Sequence, residues 1–205
     1  MYYIVGLGNP GEEYVDTRHN AGRIAVEVFA RMNDLPDFVV NKKAVGEITQ
    51  GEITTEKGVR PKVTEKVFAI LPNTFMNKSG SSVAPFITSV KKAESLIVVQ
   101  DDLDMPIGKI KLLFNRGSGG HKGVESIRRA VKTDAFLRIK IGISPATAKG
   151  KARKPDSEKI LDFIIAKFKK PELDEIKKVA KRASDAIRTV VLEGREKAMS
   201  EFNKG

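Results

Sequence analysis

With 205 residues, the chain is long enough for one compact domain with a well-buried core and too short for a second full one. The absence of cysteine excludes disulfides and thiolate metal sites. An excess of 37 Lys and Arg over 26 Asp and Glu gives +11 and a pI near 9.7, which favours a polyanionic partner, nucleic acid or an anionic membrane surface, over plain basicity for solubility.

In chain order, Met1 leads straight into Tyr3 to Leu7, a strand, so a targeting peptide is not expected and the cytoplasm is the default location. Ile24 to Met32 has helical period. Val45 to Thr64, with Gly46, Gly51 and Gly58-Val59-Arg60-Pro61, predicts an antiparallel hairpin with a long polar tip. Val67 to Leu71 is a strand, and Ser81 to Val90 is a helix interrupted by Pro85. Leu96 to Val99, Ile110 to Phe114 and Leu137 to Ile143 are strands, with a helix over Val124 to Val131. No apolar run approaches the ~18 residues of a membrane span. Strands alternating with helices predict an α/β domain with a twisted, mixed, largely parallel sheet and helices on both faces.

Residues 148–156, built around Ala-Lys-Gly-Lys-Ala-Arg-Lys-Pro, read as a basic linker; 157–205 read as C-terminal helices of the same domain. From Pro171, Leu173, Ile176, Val179, Ala180, Ala183, Ile187, Val190 and Val191 fall on one helical face, and Gly194 supplies a stop. The opposite face carries Lys177, Lys178, Lys181, Arg182 and Arg188, either solvated or in contact with nucleic acid.

Gly6-Leu7-Gly8-Asn9-Pro10-Gly11 matches the G-x-G-x-x-G dinucleotide fingerprint only in outline. Pro10 removes an amide, Glu12 and Glu13 repel phosphate, and the helical period starts only after Asn20, so a nicotinamide enzyme is disfavoured. What survives is a tight loop presenting Asn9 at a strand end. Similar polar segments follow Leu71 (Asn73 to Asn77) and Val99 (Gln100 to Asp104), and Thr17-Arg18-His19-Asn20 precedes the first helix. In open α/β sheets such loops converge on ligands beyond the carboxyl ends of the strands. A histidine beside a carboxylate there would have its tautomer fixed and its other nitrogen free to act as a base. With no Cys and no G-x-S-x-G elbow, general-base hydrolysis is favoured over a covalent acyl-enzyme. The chain has two histidines, over a hundred residues apart, which is poor spacing for zinc. Gly117-Ser118-Gly119-Gly120-His121-Lys122-Gly123 opens the helix from Val124, either as a mobile lid or as amides that receive an anion near Lys111, Arg116 and Lys122.

Together these segments resemble the bacterial-type peptidyl-tRNA hydrolases, in the expected order from residue 2 to about 143. The family's G-L-x-N-P-G, Y and T-R-H-N-x-G appear as Gly6 to Gly11, Tyr14 and Thr17 to Gly22. Its P-x-T-F-M-N-x-S-G is Pro72 to Gly80, its D-[DE]-L-D-x-P-x-G is Asp101 to Gly108, and its G-G-H-N-G is represented by Gly119 to Gly123. The resemblance implies hydrolysis of the ester joining peptide to the 3′ ribose of tRNA, with His19 as base, Asp101 as its partner, and Asn9 and Asn77 polarising the carbonyl. Tyr14, Phe75, Met76, Asn77, His121 and Lys122 would meet the substrate. It further implies a monomer with no metal and no cofactor.

Three features depart from the family. Lys122 replaces the usual Asn. Leu113 occupies a position often basic, so Lys111 needs Arg138 or Lys140 to complete a grip on tRNA phosphate. Thr49 to Lys66 has the look of an insertion. The alternatives are an RNA-binding module without hydrolysis, as in related plastid splicing factors, and cleavage of another acyl ester or amide. Intact His19, Asp101, Asn9 and Asn77 favour the hydrolase.

Overall fold

The computed structural model describes residues 1–56, 58 and 61–204. Strands β1 (Tyr2–Gly6), β2 (Val39–Asn41), β3 (Gly46–Thr54), β4 (Thr64–Pro72), β5 (Leu96–Pro106), β6 (Ile110–Phe114) and β7 (Leu137–Ser144) form one sheet in the order β2-β3-β4-β1-β5-β7-β6. The four central strands β4, β1, β5 and β7 run parallel, while β2, β3 and β6 join antiparallel at the edges. This is the mixed, centrally parallel α/β sheet the sequence predicts.

Successive residues of the central strands feed two separate cores, as a two-residue side-chain period requires. On one face Ile4, Ala69, Ile97, Val99 and Ile139 pack with α1 (Ala21–Met32) and the C-terminal helices α6 (Lys170–Glu193) and α7 (Arg195–Phe202). On the other, Val5, Leu7, Ile70 and Val98 pack with α2 (Gly80–Val83), α3 (Val90–Ala93) and α4 (Lys122–Val131) through Val83, Ala93, Val124 and Ile127. In α6 Pro171 occupies the first turn, the apolar stripe from Ile176 to Val191 is buried, and Gly194 at φ 95° ends the helix.

Three expectations change. Pro85 offers no amide and its ring clashes with the preceding turn, so Ser81 to Val90 yields two four-residue helices, α2 and α3, joined by a turn. The strand expected to stop at Val99 continues to Pro106, because Gln100, Asp101 and Asp102 keep pairing with Lys140, Ile141 and Gly142 of β7. Most of the expected polar tip is ladder, paired as far as Thr54 opposite Thr64; Val59 and Arg60 lie outside the described residues. The basic segment 148–156 has no helix or strand, but Ala146 and Ala152 close it with an isolated bridge. Among the described residues no helix is long and apolar enough to cross a membrane.

Close approach of α1 to the sheet sets the site. Leu7 N–H donates to Val99 O at 3.0 Å and Arg23 N–H to Leu7 O at 2.9 Å. Gly22 sits in this crossing, where a Cβ would run into the Val99 and Leu7 carbonyl oxygens. The turn Arg18–Asn20 is thereby held against the carboxyl end of β5.

Candidate active site

The site is organised around Asp101, buried midway along β5. Its Oδ1 lies 2.9 Å from His19 Nδ1 and 2.9 Å from His121 Nε2. Burial alone would raise the Asp101 pKa, but the two histidines outweigh it and hold the carboxyl well below the usual carboxylate range. An ionised carboxylate only accepts, so each facing nitrogen carries a proton. Burial pulls the His19 pKa down, and so does Lys122, but the Asp101 charge and hydrogen bond prevail and raise it. Neutral His19 thus has Nδ1–H on Asp101 and a free Nε2.

His121 is fixed independently. It caps α4, its Nδ1 accepting from the amides of Gly123 at 3.2 Å and Val124 at 3.4 Å. Two of the amides at this helix start, those of Gly123 and Val124, are therefore taken up by His121, and its proton is left on Nε2. The fold also defeats the argument from sequence separation. The two imidazoles lie 5.2 Å apart between centroids, and among the described residues His19, Asp101 and His121 form the one trio of metal-ligating types, with ligand atoms within 4.8 Å. The proton pattern satisfies the trio internally.

Asn9 is held rather than displayed. Its backbone N–H donates to Asn20 Oδ1 at 2.8 Å, Asn20 Nδ2 returns to Asn9 O at 3.0 Å, and Met76 N–H donates to Asn9 Oδ1 at 2.8 Å. With Oδ1 engaged, Nδ2 is the group left to donate within the cleft that Asn9 lines. The turn Met76–Lys78 carries exposed Asn77 to the same cleft. Tyr14 stands beside it, edge-on to Phe75 with ring centroids 6.4 Å apart.

The cleft, about 660 Å³, gathers Asn9, His19, Phe75, Met76, Asn77, Asp101, His121 and Lys122. One wall was missed from sequence: α5 (Ile160–Ile165), which contributes Ile160, Leu161, Ile164 and Ile165. Their spacing was a legible signal, since i, i+1, i+4 and i+5 share a helical face. Arg18, the second residue of Thr17-Arg18-His19-Asn20, hangs this wall beside His19. Its guanidinium donates to Ala166 O at 3.3 Å, Lys167 O at 2.8 Å and Glu172 at 2.6 Å, between the rings of Phe163 and Phe168.

The basic residues expected on tRNA phosphate are not equivalent. Lys111 is exposed on β6, directly across from Lys140. Lys140 lines the cleft but pairs with Asp102. Arg138 is 3% exposed and donates to Gln100 Oε1 at 3.4 Å and Ser118 O at 3.3 Å, bracing the glycine loop from within. Arg138 thus sits inside the fold, tied to β5 and to the glycine loop.

Fold and site define an α/β protein with a histidine–carboxylate cleft at the carboxyl ends of its parallel strands. Residues 3–205 match the profile of the family described as peptidyl-tRNA hydrolase. The chain is 37% identical over 201 residues to the peptidyl-tRNA hydrolase of Geobacter sp. (strain M21), covering 98% of this chain and 96% of that one. It is 36% identical over 206 residues to that of Carboxydothermus hydrogenoformans, covering 100% of both. A crystal structure of peptidyl-tRNA hydrolase from Acinetobacter baumannii superposes with a TM-score of 0.82 at 30% identity, over 100% of this chain and 95% of that one. The chain belongs to the peptidyl-tRNA hydrolase family.

Proposed function

We propose that the protein hydrolyses the ester between the peptide and the 3′-terminal ribose of peptidyl-tRNA, releasing peptide and tRNA, with His19 as general base. The observation that carries this is the His19–Asp101 hydrogen bond of 2.9 Å inside a cleft shared with Asn9 and Asn77. Nε2 takes a proton from water as the water oxygen attacks the ester carbonyl. The imidazolium so formed is stabilised by Asp101, and negative charge on the carbonyl oxygen by Asn9 Nδ2 and Asn77. Collapse breaks the carbon–oxygen bond to the ribose, and the imidazolium returns its proton to the departing 3′ oxygen. Water is the only co-reactant.

A net charge of +11 suits a polyanionic substrate. A module that only bound RNA would have no use for a buried carboxylate that fixes a histidine tautomer. His19→Ala is expected to lower kcat by ~10²–10⁴-fold while tRNA binding persists. A variant with full hydrolytic activity would overturn the assignment.

A further inference from the structure

His19 is the middle residue of the turn Arg18–Asn20, and both of its neighbours are anchored. Asn20 is tied to the Asn9 loop by two hydrogen bonds. Arg18 is tied in another direction, to the junction of α5 and α6. There residues 16–18 and 166–168 run antiparallel, bridged at Thr17 and Lys167. Arg18 N–H donates to Ala166 O at 3.1 Å, and Phe168 N–H to Asp16 O at 2.9 Å. The Arg18 guanidinium, in a side chain only 5% exposed, locks this seam. One of its nitrogens reaches the carbonyls of Ala166 and Lys167, and the other reaches Glu172 Oε2. That same oxygen accepts from Lys169 N–H at 2.8 Å, at the start of α6. A buried charge needs a partner, and a planar fork held at three points has little freedom to swing.

We propose that Arg18 is a positioning residue for the reaction: by fixing the turn from the α6 side, it holds the His19 ring on Asp101 with Nε2 facing the cleft. This rests on the hydrolase reading above. The bond to Asp101 selects which nitrogen of His19 carries the proton, but the direction of Nε2 follows from the backbone on which the ring is mounted. That bond is also a single contact onto an oxygen shared with His121. A His19 ring that drifted away would leave the carboxylate still hydrogen-bonded, so Asp101 alone does not keep the ring in place. Lysine would not substitute for Arg18, because an ammonium is a point charge without the fork that spans two carbonyls and a carboxylate.

Arg18→Lys keeps the charge and loses the fork. A shift of about 1 Å in a catalytic group can cost ~10²-fold, so kcat on N-acetyl-aminoacyl-tRNA should fall by ~10- to 100-fold. KM should stay within about twofold, since ground-state contacts are kept. In long-range ¹H–¹⁵N spectra of the free protein, His19 should pass from one Nδ1–H form to a mixture of tautomers. Glu172→Gln keeps the partner's shape and should show both changes in weaker form; it decides alone if Arg18→Lys fails to fold, as judged by circular dichroism. A lower Tm with kcat and the His19 spectrum unchanged would make Arg18 only a strut of the fold. A change confined to KM would assign it to the α5 wall. Either result overturns the proposal. If no ester is cleaved, the hydrolase reading fails by itself and the His19 spectrum alone judges Arg18: a tautomer mixture in the variants supports the positioning role, and an unmoved spectrum refutes it.

Discussion

Replacing Asp101 by Asn keeps shape and removes one charge at the centre of the site. Both histidines approach the same oxygen, Oδ1, at 2.9 Å. The side-chain oxygen of Asn can still accept from both, so the fold and the tautomer of His19 are expected to survive. What would be lost, in the proposed reaction, is the attraction between the carboxylate and the imidazolium that forms as water is deprotonated. For unit charges ~4 Å apart at an effective dielectric of about 20 this is ~4 kcal/mol, or about three decades in rate. The Asp101 and His19 side chains are only 4% and 10% exposed, so water screens little of it. A fall in kcat of ~10²–10³-fold is expected. The pH dependence moves too. Asp101 raises the His19 pKa, and the proposed mechanism needs the neutral imidazole, so the wild-type rate is expected to climb through a midpoint above the ordinary value of 6.5. In Asp101→Asn, burial and Lys122 remain and both lower that pKa, so the midpoint falls. The stability sign is opposite to that of activity. A raised folded-state pKa gives stabilisation that is full below 6.5 and lost as pH rises through the folded value, so the wild type loses stability as it gains activity. Steady-state hydrolysis of N-acetyl-aminoacyl-tRNA across pH tests this. A variant with wild-type kcat and an unmoved midpoint would refute the role of Asp101.

Lys122 is exposed at the first turn of α4 and lines the cleft, so Lys122→Ala should raise KM and flatten its salt dependence with kcat nearly kept. Unchanged KM and salt slope would leave it a solvated lysine. Lys111→Ala should reduce the salt slope of tRNA binding by ~0.7–0.9, whereas Arg138→Ala should lower kcat and Tm by loosening the Ser118 loop. If Arg138→Ala instead changed only the salt slope, its inward placement would be irrelevant in solution. Gly22→Ala drives a Cβ into the Val99 and Leu7 carbonyls, and overpacking of ~1–3 kcal/mol lowers Tm by several degrees in thermal denaturation; a Tm within a degree of wild type contradicts the tight crossing.

The sheet was legible because its central strands are short apolar runs bounded by glycine and polar residues, Tyr3 to Leu7 being the clearest. The continuation of β5 was not, since Gln100-Asp101-Asp102 carries no apolar signal. Those residues remain in the strand because they keep pairing with β7 while they line the cleft. The motifs of His19 and Asp101 point to one cleft, and their contact of 2.9 Å depends on the α1 crossing at Gly22. His121 was placed at the substrate, but its second grip on Asp101 depends on which nitrogen caps α4. That is a fact of three-dimensional placement with no trace in residue type. The α5 wall is hard to read from sequence, because four aliphatic residues at helical spacing resemble an ordinary core stripe. Only their exposure separates the two.

The basic residues show why net charge bounds a function without drawing its contacts. Arg138 and Lys140 lie on alternate positions of β7, and Lys111 pairs with Lys140 across β6. In sequence the three look alike. Their neighbours on β5 differ: Val98 and Gln100 stand opposite Arg138 and Lys140, with Asp102 next along. Burial lowers the pKa of both Arg138 and Lys140, and each charge is answered locally, by Gln100 and the Ser118 carbonyl or by Asp102. A charge already answered within the fold contributes less to a phosphate than one held in water at the rim. Under the proposed reaction the grip on tRNA would fall to exposed lysines such as Lys111 and Lys122, while Arg138 holds the loop between them. On that proposal phosphate binding and catalysis would meet at that loop, because it also ends in His121.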